Sequence, residues 1–312
     1  MKVTSAARAE KGERAVERVS RGSLPLATIT PYLYLVPMVA MVTVFLLYPA
    51  ADTIWISFTR WDGLHQPVFV GLGNYLKWST DPAFLTSSLN TVFWVVGVLV
   101  LQVGLGLVLA VILNAALIAE LYKRILYLPA TISGASAAVI WYSIFNPDLG
   151  LVNTTLRFLH LGGLAHSWLT TPPLNTFAMI VASAWQGLGP AMVLFLVGLQ
   201  NIPRDPVEAA QVDGAGGWRL FRHVTLPLLR PMTVVVVAIS LINSFKVFDL
   251  IWVMTQGGPY RSSETLAVTM YRDSFVGFQF GYGASVAVLL TAIVFLVSVF
   301  YIRSMFQRLE VG

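Results

Sequence analysis

Long apolar runs separated by short polar stretches dominate this chain. Six of them reach the ~20 residues that an α-helix needs to cross a hydrocarbon core of ~30 Å. They run roughly over 31–52, 91–115, 127–145, 174–200, 231–254 and 283–303. Ten-residue alternation, the mark of a membrane β-strand, is absent. The pattern predicts an all-α polytopic membrane protein with six transmembrane helices. Residues 1–30 form a polar tail, 31–303 the transmembrane domain and 304–312 a second short tail. Gly97 and Gly104 lie seven apart in the second span. They are expected on one face, where small residues let helix backbones approach closely.

Charge orients the spans. Lys2, Arg8, Lys11, Arg14, Arg18 and Arg21 precede the first span, and Lys123 and Arg124 join the second to the third. Arg204, Arg219, Arg222 and Arg230 join the fourth to the fifth, and Arg303 and Arg308 end the chain. The other side holds only Arg60, Lys77, Arg157, Arg261 and Arg272, so both termini are expected in the cytoplasm. Trp61, Tyr75, Trp78 and Trp168 then fall near the outer interface as anchors. The tail is too long and too acidic for a signal n-region, so the first helix is read as uncleaved. Charged residues make up 11% of the chain, against roughly 25% in soluble proteins, which excludes a soluble fold. The net charge of +5 is explained by this placement and does not call for nucleic acid. With no cysteine, a disulfide framework or a cysteine-based metal site is excluded.

One polar stretch interrupts the apolar pattern on the cytoplasmic side. It reads EAAQVDGAGGWRLFRHVTLP, Glu208 to Pro227, within a loop over 203–230. Pro203 and Pro206 stop the fourth span from continuing. Asp205 is the expected N-cap, with Pro206 at N1 and Glu208 at N3. Gly214, Gly216 and Gly217 break this helix, and Trp218–His223 can form a second piece. Two short helices joined by a glycine bend make a knob suited to a groove on another protein; a solvated loop is the alternative.

Glu208-Ala209-Ala210, then Gly214, Val224 and Leu226-Pro227, resembles the coupling loop of binding-protein-dependent ABC importer permeases. The family pattern is Glu-Ala-Ala, three residues, Gly, nine residues, Ile, one residue, Leu-Pro. Every spacing fits, and valine for isoleucine is the sole departure. The stretches Ser57–Tyr75, Leu128–Asn153, Phe245–Leu266 and Phe280–Val288 are similar to the carbohydrate-uptake branch, the maltose- and glycerol-phosphate-type permeases. The short C-terminus resembles the first of the two permeases such importers carry. The resemblance implies a bacterial or archaeal inner-membrane subunit that imports a sugar, polyol or sugar phosphate by alternating access. It implies a second six-span permease, two ABC ATPase subunits and an extracytoplasmic solute-binding protein as partners. ATP and Mg would be used by the ATPase, with no cofactor bound by this chain, which lacks a G-x-x-x-x-G-K-[ST] sequence. Glu208, Ala209, Ala210, Asp213, Gly214, Leu226 and Pro227 would couple the chain to the ATPase. The alternative class is an ion-coupled secondary transporter.

A transport path needs polar groups inside the spans. Lys246 and Asp249 lie three apart in the fifth span, near one face, with Asn243 three residues before. They either line the path or tether helices as an ion pair, since a lone charge at a span centre costs at least ~2.5 kcal/mol. In the fourth span, Trp185-Gln186 precedes Gly187 and Gly189-Pro190. An indole face beside an amide suits a sugar, and Pro190 is expected to kink the helix; ordinary packing is the alternative. His65, His160, His166 and His223 make no metal set, Gly257-Gly258-Pro259 reads as an outer turn, and no nucleophile–base pair organises a catalytic site.

Overall fold

The computed structural model describes residues 34–114 and 119–306. They divide into two units, one ending at Trp55 and one beginning at Ile56. The described residues of the first unit lie in one helix, α1 (Tyr34–Ile56), which widens to a π-helical stretch at Thr43–Leu47. From Tyr34 to Trp55 its large apolar side chains are exposed, as in a helix that faces lipid or a partner.

The second unit opens with a hairpin of β1 (Thr59–Arg60) and β2 (Val68–Phe69), then the short helix α2 (Gly73–Lys77). In the hairpin turn, the Asp62 carboxylate accepts from the Leu64 and His65 amides and pairs with the His65 ring at 2.6 Å. Those His65 bonds hold the Asp62 carboxyl well below the usual carboxylate range and raise the imidazole. Asn74 pins α2 to the hairpin by donating to the Ser57 and Thr59 carbonyls, both at 2.8 Å.

Helix α3 (Pro82–Asn114) covers the second expected span but begins nine residues earlier than position 91. Asp81 caps it through the Ala83 amide at 3.0 Å, with Pro82 in the first turn. Its first turns are polar because Ser87, Asn90 and Thr91 are buried against other protein. A π-helical stretch at Leu99–Gly104 shifts the phase of the helix, which overturns the glycine expectation. Gly97 meets Ile180, Gly106 meets Ala191 and Met192, and Gly104 touches little.

The third expected span is broken. Glu120–Thr131 and Gly134–Ile144 meet at 102°, with Pro129 before the break and Ser133 capping the second piece. We label the parts α4 (Ala119–Tyr127) and α5 (Gly134–Ile144). Helix α6 (Leu151–Phe158) follows, ahead of a single 3-10 turn at Gly162–Leu164.

Helix α7 (Leu174–Gln200) matches the fourth expected span and is the centre of the bundle. It continues through Pro190 as one helix. Met179, Ile180, Met192 and Phe195 on α7 are fully buried. A Cβ on Gly189 would sit 2.4 Å from the Leu126 carbonyl oxygen, and one on Gly187 would meet the Gln102 amide. These glycines therefore serve close packing. Gly189→Val should destabilise the bundle by about 1–3 kcal/mol through overpacking; thermal unfolding of the purified protein in detergent checks this.

Two short helices, α8 (Arg204–Val212) and α9 (Gly217–Leu228), precede α10 (Arg230–Phe245), which bends from α9 by 70°. The fifth expected span does not continue to 254. It stops at Phe245 and resumes as α11 (Asp249–Thr255). Sixteen residues give about 24 Å of helix, too short to cross alone. The chain then forms α12 (Leu266–Tyr271) and a π-helical turn at Arg272–Val276 before α13 (Phe280–Phe306). Among the described residues, four helices are long and apolar enough to span a membrane, or up to six if each bent pair counts as one.

Candidate functional site

The α8–α9 knob is built around one glycine. Gly214 sits at φ +80, a left-handed conformation that suits a residue without Cβ. Its amide donates to the Gln211 carbonyl at 3.0 Å, and the Ala215 amide donates to Ala210 at 2.9 Å. This pair of bonds is a Schellman closure, which ends α8 and turns the chain. The N-terminus differs from expectation. Pro203 occupies the cap position and Arg204 starts the helix, so Asp205 lies in the first turn and caps nothing. Its charge still favours the positive end of the helix.

Glu208, Ala209, Asp213, Gly214 and Pro227 are exposed, while Ala210 and Leu226 are half-buried. Val212 is 88% and Trp218 70% exposed, unusual for apolar side chains on a polar loop. Beside the knob, Asn114, Ile202, Arg204, Glu208, Gln211 and Thr225 line a cleft of about 400 Å³. Below it, Leu229 is buried and lies against Gly198 of α7, where a Cβ would sit 2.7 Å from Leu229 Cδ1. The knob is thus joined to α7 by Asn201–Pro203 and packed back onto it through Leu229. A push on α8 has a short, stiff route into the bundle.

The polar residues of the fifth span gather at its break. The Lys246 amide donates to the Asn243 carbonyl at 3.2 Å, closing the end of α10, and Asp249 opens α11. Lys246 and Asp249 therefore flank a break and do not share one helical face. No ion pair joins them. Asn243, Lys246 and Asp249 are all exposed, and Asp249 lies against Gly134 at the capped start of α5. Trp185 and Gln186 sit elsewhere on α7. Gln186 Nε2 donates to the Ile132 carbonyl at 2.7 Å, at the break of the third span. Trp185 meets Trp141 edge-on at 5.8 Å. Both broken spans thus place freed backbone beside polar side chains, as non-helical backbone in a membrane requires.

A third cluster was not foreseen. Glu264 is fully buried and accepts from Arg261 Nε (2.9 Å), Arg272 Nε (2.5 Å) and Thr269 Oγ1 (2.8 Å). Arg261 also pairs with Asp273 at 3.1 Å, and Arg272 donates to the Gln256 carbonyl. Asn90 donates to the carbonyls of Ser262 and Glu264, and Asn175 to those of Gly258 and to Ser262 Oγ. Gly257 (φ +78) leaves room for Glu264, whose Cγ would lie 2.3 Å from a Cβ there. Gly257-Gly258-Pro259 turns the chain, as expected, within a loop bolted into the bundle. The sequence signal was a run of paired charges, Arg261, Glu264, Arg272 and Asp273, beside an apolar helix.

The family described as the binding-protein-dependent transport system inner membrane component matches residues 102–310. The chain belongs to this family. A probable ABC transporter permease of Pyrococcus horikoshii is 35% identical over 264 residues, covering 83% of this chain and 90% of its own length. The arabinooligosaccharides transport system permease AraP of Bacillus subtilis is 34% identical over 278 residues, covering 88% and 87%. In three dimensions the chain resembles a chain of a bacterial alginate ABC transporter solved with an alginate pentasaccharide-bound periplasmic protein. That match has a TM-score of 0.76 at 21% identity and covers 89% of this chain and 95% of the other. The protein is a membrane-spanning permease subunit of a binding-protein-dependent ABC importer, and its relatives are named as permeases, not enzymes.

Proposed function

We infer that this permease imports a saccharide or related polyol, received from an extracytoplasmic solute-binding protein. It crosses the inner membrane of a bacterium or archaeon six times, with both termini inside. It works beside a second six-span permease. Two ATPase subunits supply the force by hydrolysing ATP with Mg. The observation that carries this reading is the knob. A Glu-Ala-Ala helix closed by left-handed Gly214 stands clear of the bundle, is stiffly joined to α7 and α10, and exposes Val212 and Trp218. Closure of the ATPase pair would push on Glu208, Ala209, Ala210 and Asp213. The motion would pass through Leu226, Pro227 and Leu229 into the spans, shifting the balance between inward- and outward-open arrangements. Asn243, Lys246 and Asp249 at the break of the fifth span, with Trp185 and Gln186 near that of the third, would meet the solute. Charged groups exposed at mid-span must face a partner or a water-filled cavity, because lipid would not tolerate them. Relatives that carry oligosaccharides favour the saccharide.

The native chain has no cysteine, so single-cysteine variants give clean readouts. Val212→Cys is expected to cross-link to the ATPase and to react with a membrane-impermeant maleimide only in inside-out vesicles. Labelling in right-side-out vesicles, or the absence of any ATPase adduct, would overturn the topology and the coupling role together.

A further inference from the structure

Six aromatic rings form an unbroken chain along one side of the second unit. Phe248 lies at the break of the fifth span. It stacks on Trp252 (5.6 Å between centroids) and meets Tyr271 (4.8 Å), which also meets Trp252 edge-on (4.9 Å). Tyr271 contacts Phe275 (5.2 Å), Phe275 contacts Phe280 (5.6 Å), and Phe280 contacts Trp61 of the hairpin (5.4 Å). No step is wide enough to interrupt contact with a small planar ligand. The chain ends at a polar cleft of about 510 Å³ that includes Arg60, His65, Lys77 and Tyr282.

Buried core aromatics would be covered by aliphatic side chains on all sides. These are not. Phe275 is 57% exposed, and the other five rings are half-buried, so each keeps uncovered surface. A row of rings facing lipid would have apolar neighbours only. Here polar groups recur along the row. Lys246 and Asp249 flank Phe248, the Arg272 guanidinium lies 5.3 Å from the Trp252 ring, and Lys77 lies 4.2 Å from the Tyr282 ring beside Phe280 and Trp61. Flat apolar faces alternating with charge-bearing donors match one ligand class, a sugar ring with C–H faces and hydroxyl edges.

We propose that Trp61, Phe280, Phe275, Tyr271, Trp252 and Phe248 form a stacking track that guides saccharide rings from the hairpin cleft to the break in the fifth span. The idea rests on the saccharide reading above and adds a binding surface outside the mid-span polar residues. Only Phe248 and Trp252 are near-parallel (16°); the other steps are tilted by 38–56° or edge-on, so a sugar turns as it passes from one ring face to the next.

The test uses the complete importer in whole cells, with a starch hydrolysate, an arabinan hydrolysate and glycerol 3-phosphate as probes. Phe275→Leu keeps the apolar bulk and removes the ring. It should lower uptake of whichever saccharide the native protein takes by roughly 3- to 10-fold. Phe275→Trp should restore it, and Phe295→Leu, an exposed ring away from the track, should leave it unchanged. ATPase activity stimulated by the loaded binding protein should stay native in Phe275→Leu, which a packing defect would not allow. Native uptake in Phe275→Leu, or a loss that Trp does not rescue, would overturn the track while leaving the saccharide reading intact. Uptake of glycerol 3-phosphate alone, or of none of the probes, by the native importer would overturn the saccharide reading and the track with it.

Discussion

Glu264→Ala should be the most damaging single substitution outside the knob. It leaves the Arg272 guanidinium with only the Gln256 carbonyl and the Trp252 ring, and Arg261 with only Asp273. Breaking a buried pair by removing one partner costs about 3–5 kcal/mol, because the remaining charge is left uncompensated. The loss reaches beyond the pair. The Glu264 carbonyl is held by Asn90, and the Leu266 amide by Thr91 Oγ1, so the loop fastens α12 to α3. We expect a sharply lowered melting temperature and poor recovery of Glu264→Ala by size-exclusion chromatography in detergent. Glu264→Gln should fall between it and the native protein, since an amide can still accept one of the arginine bonds. Glu120→Gln is the control. Its pair with Arg124 is exposed at 3.4 Å in an i,i+4 arrangement worth only about 0.3–0.5 kcal/mol. Equal melting of Glu264→Ala and Glu120→Gln would mean that water reaches the cluster and replaces the carboxylate.

The second large effect is functional. Gly214→Asp should abolish coupling in a permease that remains folded. A Cβ at Gly214 meets nothing within 4 Å, so the substitution creates no clash inside this chain. Left-handed backbone is tolerated by aspartate at modest cost, about 1 kcal/mol or slightly more. Failure of transport would therefore arise at the proposed ATPase-facing surface, where a new charged side chain would stand. A lost coupling energy of typical size would cut binding-protein-stimulated ATPase activity and uptake roughly 5- to 150-fold. Melting temperature and insertion should stay close to native. Native stimulation and uptake would remove Gly214 from the contact, and a collapse in melting temperature would relocate its role to the fold of the knob. The contrast between the two variants is itself informative: one fails by stability and the other by communication.

Much of this molecule was legible before any coordinates. Apolar run length located every long helix, because lipid accepts only hydrogen-bonded apolar rods and the sequence must show it. The Glu-Ala-Ala and glycine spacing located the knob, because a left-handed C′ position leaves a glycine in the text. What failed is equally specific. The start of α3 is hidden because Asn90 looks like a loop residue until the Ser262 and Glu264 carbonyls are seen to accept from it. Gly97 and Gly104 were paired by counting, and a π-helical stretch between them rotated one away. Lys246 and Asp249 were placed on one face of a helix that in fact stops between them.

Local pattern in the chain was enough for the class of solvent around it, the four long apolar helices and the glycine that ends α8. Each of these follows from local composition or from spacing within one helix. Where the spans break, which glycines meet which neighbours, and the burial of Glu264 between two arginines were set by packing in three dimensions. Those outcomes depend on residues far apart in the chain, such as Asn90 and Glu264 or Trp61 and Phe280, whose meeting no local pattern encodes. A charge costs or stabilises according to what surrounds it, and in this protein the surroundings are assembled by the fold.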